Sequence, residues 1–185
     1  MPPEMSTETL TAPKIVGPTD GDLAVLGAIG SRFMIDTEET HAGGFSLVEH
    51  PMEPRGLAAP LHRHSREDEY SYVVEGRMGA LLGDEVVYAE VGDLVFKPRD
   101  QWHTFWNAGG DDEPCRILEI IAPGGFEGFF RELGAKLLVD GENEEAMGQF
   151  FGEMSQKYGI DFDFEATPPI AQEHGLWHPV FAPKE

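Results

Sequence analysis

The stretch GLAAPLHRHSREDEYSYVVEG, residues 56–76, is the segment whose reading decides the fold. It contains Leu61-His62-Arg63-His64 and then the apolar run Tyr70–Val74. In a β-strand, residues i and i+2 face one side, so His62 and His64 direct two imidazoles into the same space. Glu69 opens the next run, and a short turn with a returning strand sets its carboxylate beside them. His103 lies on a later run, with Phe105 and Asn107 on its side of the strand. Three imidazoles and one carboxylate from neighbouring strands form a mixed nitrogen and oxygen site. Its chemistry suits one divalent transition metal per chain: Fe, Mn, Ni, Co, Cu or Zn.

Outward from this stretch, short apolar runs alternate with Gly, Pro and acidic clusters from Phe33 to Ile121. Phe45–Val48, Met78–Leu82, Val86–Tyr88, Leu94–Phe96, Thr104–Trp106 and Ile117–Ile121 are the clearest. That spacing predicts an all-β sandwich or barrel, with Gly83-Asp84 as a hairpin turn. After Pro123 the period changes. Phe126, Phe129, Phe130 and Leu133 fall at i, i+3, i+4 and i+7, a helical stripe, and Gly134 is expected to end it. A second helix is expected from about Asn143 to Tyr158, stopped by Gly159. Residues 1–20 carry no period and read as a flexible arm, partly laid over the domain. The expected organisation is an arm over 1–20, a barrel over 21–122 and a helical C-terminal extension with its tail over 123–185.

The chain has 185 residues, 13 Lys and Arg against 34 Asp and Glu, and a net charge of −21. Such a surface repels phosphate, which argues against nucleic-acid or anionic-membrane partners. Eight acids between residues 140 and 165 read as a solvated face rather than a site. With 41% hydrophobic residues the chain can build a core. Cys115 is the single cysteine, so disulfides within the chain and multi-cysteine zinc sites are excluded, and it reads as a small apolar barrel residue. No basic segment followed by an apolar run opens the sequence, and a cytoplasmic location is expected.

Two spacings sharpen this reading. Gly56, His62, His64, Glu69 and Gly76 form one block; Gly92, Pro98, His103 and Asn107 form a second. They resemble the two conserved motifs of the cupin superfamily. The first matches at every fixed position. The second departs at Asp100, where the family commonly has Gly, and Asp tolerates a left-handed turn better than most residues. The resemblance implies a double-stranded β-helix, or jelly-roll, barrel with His62, His64, Glu69 and His103 as inward-pointing metal ligands. Asp36–Glu49 and Ala122–Gly134 further resemble single-domain cupins related to quercetinases, whose barrel is followed by a helical extension. That likeness implies a metal-dependent dioxygenase acting on a small aromatic or enolic compound, and a homodimer. It also implies a second use for Glu69, as a catalytic base toward a substrate hydroxyl.

Other readings stay open at this stage. The metal can serve a non-oxidative isomerase, cyclase or lyase as a Lewis acid, or the barrel can bind a small molecule without transforming it. Ser71, Val73, Phe105 and Asn107 share parity with the ligands and either line a pocket or fill the barrel. Tyr70, Tyr72, Trp102 and Trp106 have the opposite parity and are expected beneath helices or in a subunit contact. His41 and His50 read as loop or surface histidines, and His174 and His178 flank a glycine that argues against a helical metal pair.

Overall fold

In a computed structural model describing residues 13–40, 43–180 and 182–183, two antiparallel sheets enclose the site. The strands are β1 (Leu23–Val25), β2 (Gly30–Ile35), β3 (Ser46–Met52), β4 (Leu61–His64), β5 (Asp68–Glu75), β6 (Arg77–Leu82), β7 (Glu85–Glu90), β8 (Leu94–Lys97), β9 (His103–Asn107) and β10 (Cys115–Ala122). Helices α1 (Glu127–Asp140) and α2 (Glu144–Tyr158) follow, then β11 (Ile160–Asp163) and α3 (Thr167–His174). One sheet runs β1-β2-β3-β10-β5-β8 and the other β11-β4-β9-β6-β7. This is the all-β jelly-roll architecture with C-terminal helices that the strand spacing and the motifs predicted.

Alternation builds the barrel. β4, β5 and β10 bury every second residue, as strands with one face on a core do. Val73, Met78, Ala80, Val95, Phe105, Cys115 and Ile117 fill one core cluster. A second, containing Phe33, Val48, Ile121, Phe126, Phe129, Phe150 and Ile160, joins the barrel to α1 and α2. The hairpin at Gly83-Asp84 joins β6 to β7, with Gly83 at φ 61°. Asp100 takes the left-handed conformation its motif position demands, at φ 65°.

The C-terminal segment is more than a cover. β11 pairs with β4, setting Ile160 opposite His64 and Phe162 opposite His62, so a strand of the extension completes the sheet that carries two candidate ligands. Asn143 caps α2 by accepting from the Ala146 N–H, and Gly159 ends it at φ 68°. Gly134, by contrast, does not end α1, which continues to Asp140. It faces β1 at close range, where an added Cβ would lie 3.0 Å from the Ala24 Cβ. Its smallness serves packing between helix and strand, not termination. Trp106 lies buried under the C-terminal segment with Leu57, Ala171 and Leu176, and stacks on His174. Tyr72 is exposed, and Tyr70 stacks on Phe96.

Residues 17–20 lie over β2, where the Arg32 guanidinium donates to the Gly17 and Asp20 carbonyls. Residues 1–12 of the expected arm, and His41, lie outside the described residues. No helix among the described residues is long and apolar enough to cross a membrane.

Candidate metal centre

Four donors converge inside the barrel from both sheets. β4 turns His62 and His64 inward, and β9 brings His103 opposite His62. Glu69 approaches from β5 in the facing sheet. One ligand atom from each of the four residues lies within 4.8 Å of the others, and all four side chains are buried. The imidazole centroids are 4.3 Å apart for His62 and His103 and 5.1 Å for His62 and His64.

The donor set fits a metal ion, and the hydrogen bonds show why. His62 Nδ1 lies 2.7 Å from the Pro60 carbonyl and His103 Nδ1 lies 3.0 Å from the Gln101 carbonyl. A carbonyl only accepts, so both Nδ1 atoms carry the proton and both Nε2 atoms keep a lone pair. Nε2 of His64 and of His103 each lie 3.3 Å from a Glu69 oxygen and are buried without a hydrogen bond. Buried polar atoms of this kind are rare without a partner, and a cation between them satisfies all at once. Behind His64, the Glu67 carboxylate lies 3.7 Å from Nδ1, too far for a hydrogen bond, and both atoms are buried without a hydrogen-bond partner.

Electrostatics favour the same protonation states. Burial pushes His64 down to about 4 and His62 well below its ordinary value, so both are neutral ligands near pH 7. Burial opposes the Glu69 charge, but the Lys97 ammonium 2.8 Å away leads the opposing effects, and the carboxylate is held well below its usual range. Glu67 and Glu119 are each pushed up to about 7, chiefly by burial.

The candidate pocket residues have separate roles. Val73 lies in the apolar core cluster. Asn107 binds backbone groups, donating to the Glu113 carbonyl at 2.8 Å and accepting from the Gly109 N–H at 2.8 Å. Ser71 donates to Glu119 Oε2 at 2.7 Å, and the Phe105 ring lies 4.4 Å from Lys97 Nζ. Of the four, Ser71 and Phe105 border the polar interior beside the ligands.

Lys97 and Glu119 had escaped the sequence reading. Strand parity carries their signal: Lys97 alternates with Phe96 as Val95 does with Leu94, and Glu119 shares parity with core residues Ile117 and Ile121. His50 was expected on a loop or surface but sits buried in β3, its Nδ1 against the Gly30 carbonyl and Ser31 Oγ. Its inward parity and the partner carbonyl make a neutral imidazole acceptable there. The Phe126 ring meets His64 edge-on at 4.4 Å and stacks on Phe129, so an aromatic cluster packs directly against a candidate ligand.

The His50 pKa, pushed down to about 4 by burial, has a measurable consequence. The folded state binds its proton less readily than the unfolded chain, whose imidazole titrates near 6.5. The stabilisation is therefore fully present above pH 6.5 and is lost as pH falls through about 4, amounting to about 3 kcal/mol. Urea unfolding of the metal-free protein at pH 7, 5 and 4 is expected to show the decline, and His50→Gln to flatten it. An unchanged pH slope in that variant would count against the assignment.

With this geometry in place, comparison with known proteins identifies the family. A family model described as a cupin domain matches residues 49–121. The polyketide cyclase RemF from Streptomyces resistomycificus is 32% identical, the alignment covering 60% of this chain and 80% of RemF, with a TM-score of 0.51. The chain belongs to the cupin family. This cupin is also 25% identical over 122 residues to quercetin 2,3-dioxygenase of Bacillus subtilis (strain 168). That match spans 66% of the cupin but 35% of the dioxygenase, so the chain corresponds to about a third of that enzyme's length. KdgF from Halomonas sp. matches with a TM-score of 0.52 at 17% identity, covering 63% of the cupin and 99% of KdgF, a likeness of fold alone.

Proposed function

We propose that this cupin is a metal-dependent dioxygenase acting on a small aromatic or enolic compound. The carrying observation is the enclosed set of His62, His64, Glu69 and His103, whose ligand atoms lie within 4.8 Å of one another. The likeness to a quercetin dioxygenase supports it. A divalent transition ion held by these four residues supplies Lewis acidity toward an enol or phenol oxygen. In this proposal Glu69 receives the hydroxyl proton of such a compound. Lys97, 2.8 Å from its Oε2, keeps that carboxylate ionised and able to accept, while reducing its basicity. In this proposal the buried rings of Phe126 and Phe129, the first packed against His64, keep the surroundings of the centre apolar. In the same proposal two copies pair through the open sheet face that exposes Tyr72, Leu94, Phe96 and Ile120, giving a dimer mass by light scattering.

The test is oxygen uptake by metal-free protein reloaded separately with Fe(II), Mn(II), Co(II), Ni(II), Cu(II) or Zn(II). Each form is offered flavonols and other enediol or catechol compounds. Uptake that needs one metal and disappears in His62→Ala is the expected result. Well-loaded protein that consumes no oxygen with any compound would overturn it. The 32% identity to a polyketide cyclase favours a second reading, a Lewis-acid isomerase or cyclase. Turnover of a polyketide-like enol with oxygen excluded would select that reading.

A further inference from the structure

We infer that Lys97 is a built-in counter-ion to the metal centre, sharing Glu69 with the bound ion and thereby setting how tightly the ion is held. The inference rests on the reading of His62, His64, Glu69 and His103 as ligands, and concerns a residue outside that set.

Lys97 ends β8, and strand register places it directly across from Glu69 on β5. Its side chain is fully buried. Nζ lies 2.8 Å from Glu69 Oε2, 3.0 Å from Glu119 Oε1 and 4.4 Å from the centre of the Phe105 ring. Glu119 is steadied by Ser71, its cross-strand neighbour, which donates to Oε2 at 2.7 Å. A buried ammonium persists only when paired, and removing one partner leaves an uncompensated charge. Here two buried carboxylates share one cation.

The Glu69 carboxylate faces two ways. Oε1 lies 3.3 Å from His64 Nε2, and Oε2 lies 3.3 Å from His103 Nε2 while also meeting Lys97. Without metal, the ammonium is the cation that neutralises Glu69. A divalent ion among the imidazoles then faces a like charge across a single carboxylate, in surroundings where screening is weak. Glu119 moderates the competition by drawing the ammonium toward itself.

This arrangement predicts effects of opposite sign. Lys97→Met removes the competitor and is expected to tighten Zn(II) binding about tenfold or more. Glu119→Gln keeps the shape and an acceptor for Ser71, but leaves the ammonium to Glu69 alone, so Zn(II) binding is expected to weaken by about tenfold. The measurement is competition for Zn(II) against a chromophoric chelator with full-length protein, repeated with Co(II). Melting is followed with and without metal, and the metal-induced rise in Tm is expected to grow in Lys97→Met and shrink in Glu119→Gln. Should Lys97→Met fail to fold, the double variant Lys97→Met with Glu119→Gln removes one charge of each sign, and it too is expected to bind Zn(II) more tightly than the parent. Unchanged affinity in the folded variants, or a shift in the same direction for Lys97→Met and Glu119→Gln as a packing defect would give, overturns the inference. Zn(II) binding that survives His62→Ala would instead overturn the ligand assignment beneath it.

Discussion

His62→Ala is expected to abolish stoichiometric metal binding while leaving the barrel folded. The imidazole is buried between His64, at 5.1 Å between centroids, and His103, at 4.3 Å. Its Nδ1–H is committed to the Pro60 carbonyl, so Nε2 is the nitrogen offered to the ion. Removing it leaves His64, His103 and Glu69. Loss of an outer partner of a ligand costs roughly 10- to 100-fold in affinity, and loss of the ligand itself is expected to exceed that range. The fold has reason to survive. β4 remains paired to β11 over four residues, from Ile160 opposite His64 to Asp163 opposite Leu61. The Pro60 carbonyl loses one hydrogen bond, worth about 1 kcal/mol. Chelator competition for Zn(II), with circular dichroism of the metal-free variant as the check on folding, reads both halves. A folded variant that binds Zn(II) as the parent does would show the centre to be misassigned.

Phe126→Ala is expected to be among the most destabilising single changes in the chain, and to loosen the packing around His64. Phe126 is 2% exposed. Its ring stacks on Phe129 at 5.0 Å and meets Phe130, Tyr158 and His64 edge-on. Deleting such a ring leaves a cavity and costs about 3–5 kcal/mol, or roughly 10 °C in Tm for a chain of this length. The lost ring also packs edge-on against His64, at 4.4 Å. Zn(II) release to excess chelator is therefore expected to accelerate in the variant, measured by stopped flow under conditions where it remains folded. A Tm within a degree or two of the parent would refute the packing, and an unchanged release rate would refute a role for that contact in holding the ion.

The clustering of the candidate donors was legible because it depends on local rules. His62 and His64 are two apart on one strand, so their common direction follows from the pleat alone. The apolar runs gave most of the strands, and the α2 boundaries were marked by Asn143 and Gly159. Gly134 misled because a glycine has two uses, a left-handed turn and a close approach, and the local sequence does not distinguish them. His50 misled because burial of an imidazole is decided by what the facing strands and helices supply, here the Gly30 carbonyl and the edge of Phe130 at 5.1 Å.

By itself, then, the sequence determined the strand periodicity, the motif spacing, the chemistry of the four donors and a net charge of −21. Each follows from residue type and short-range geometry. Only the tertiary structure decided that Lys97 meets both Glu119, 22 residues away on a different strand, and Glu69, that β11 completes the sheet carrying two candidate ligands, and that Phe126 packs against His64. The physical reason is that strand order and register pair residues distant in the chain. A buried charge is stable only where that pairing brings it a partner.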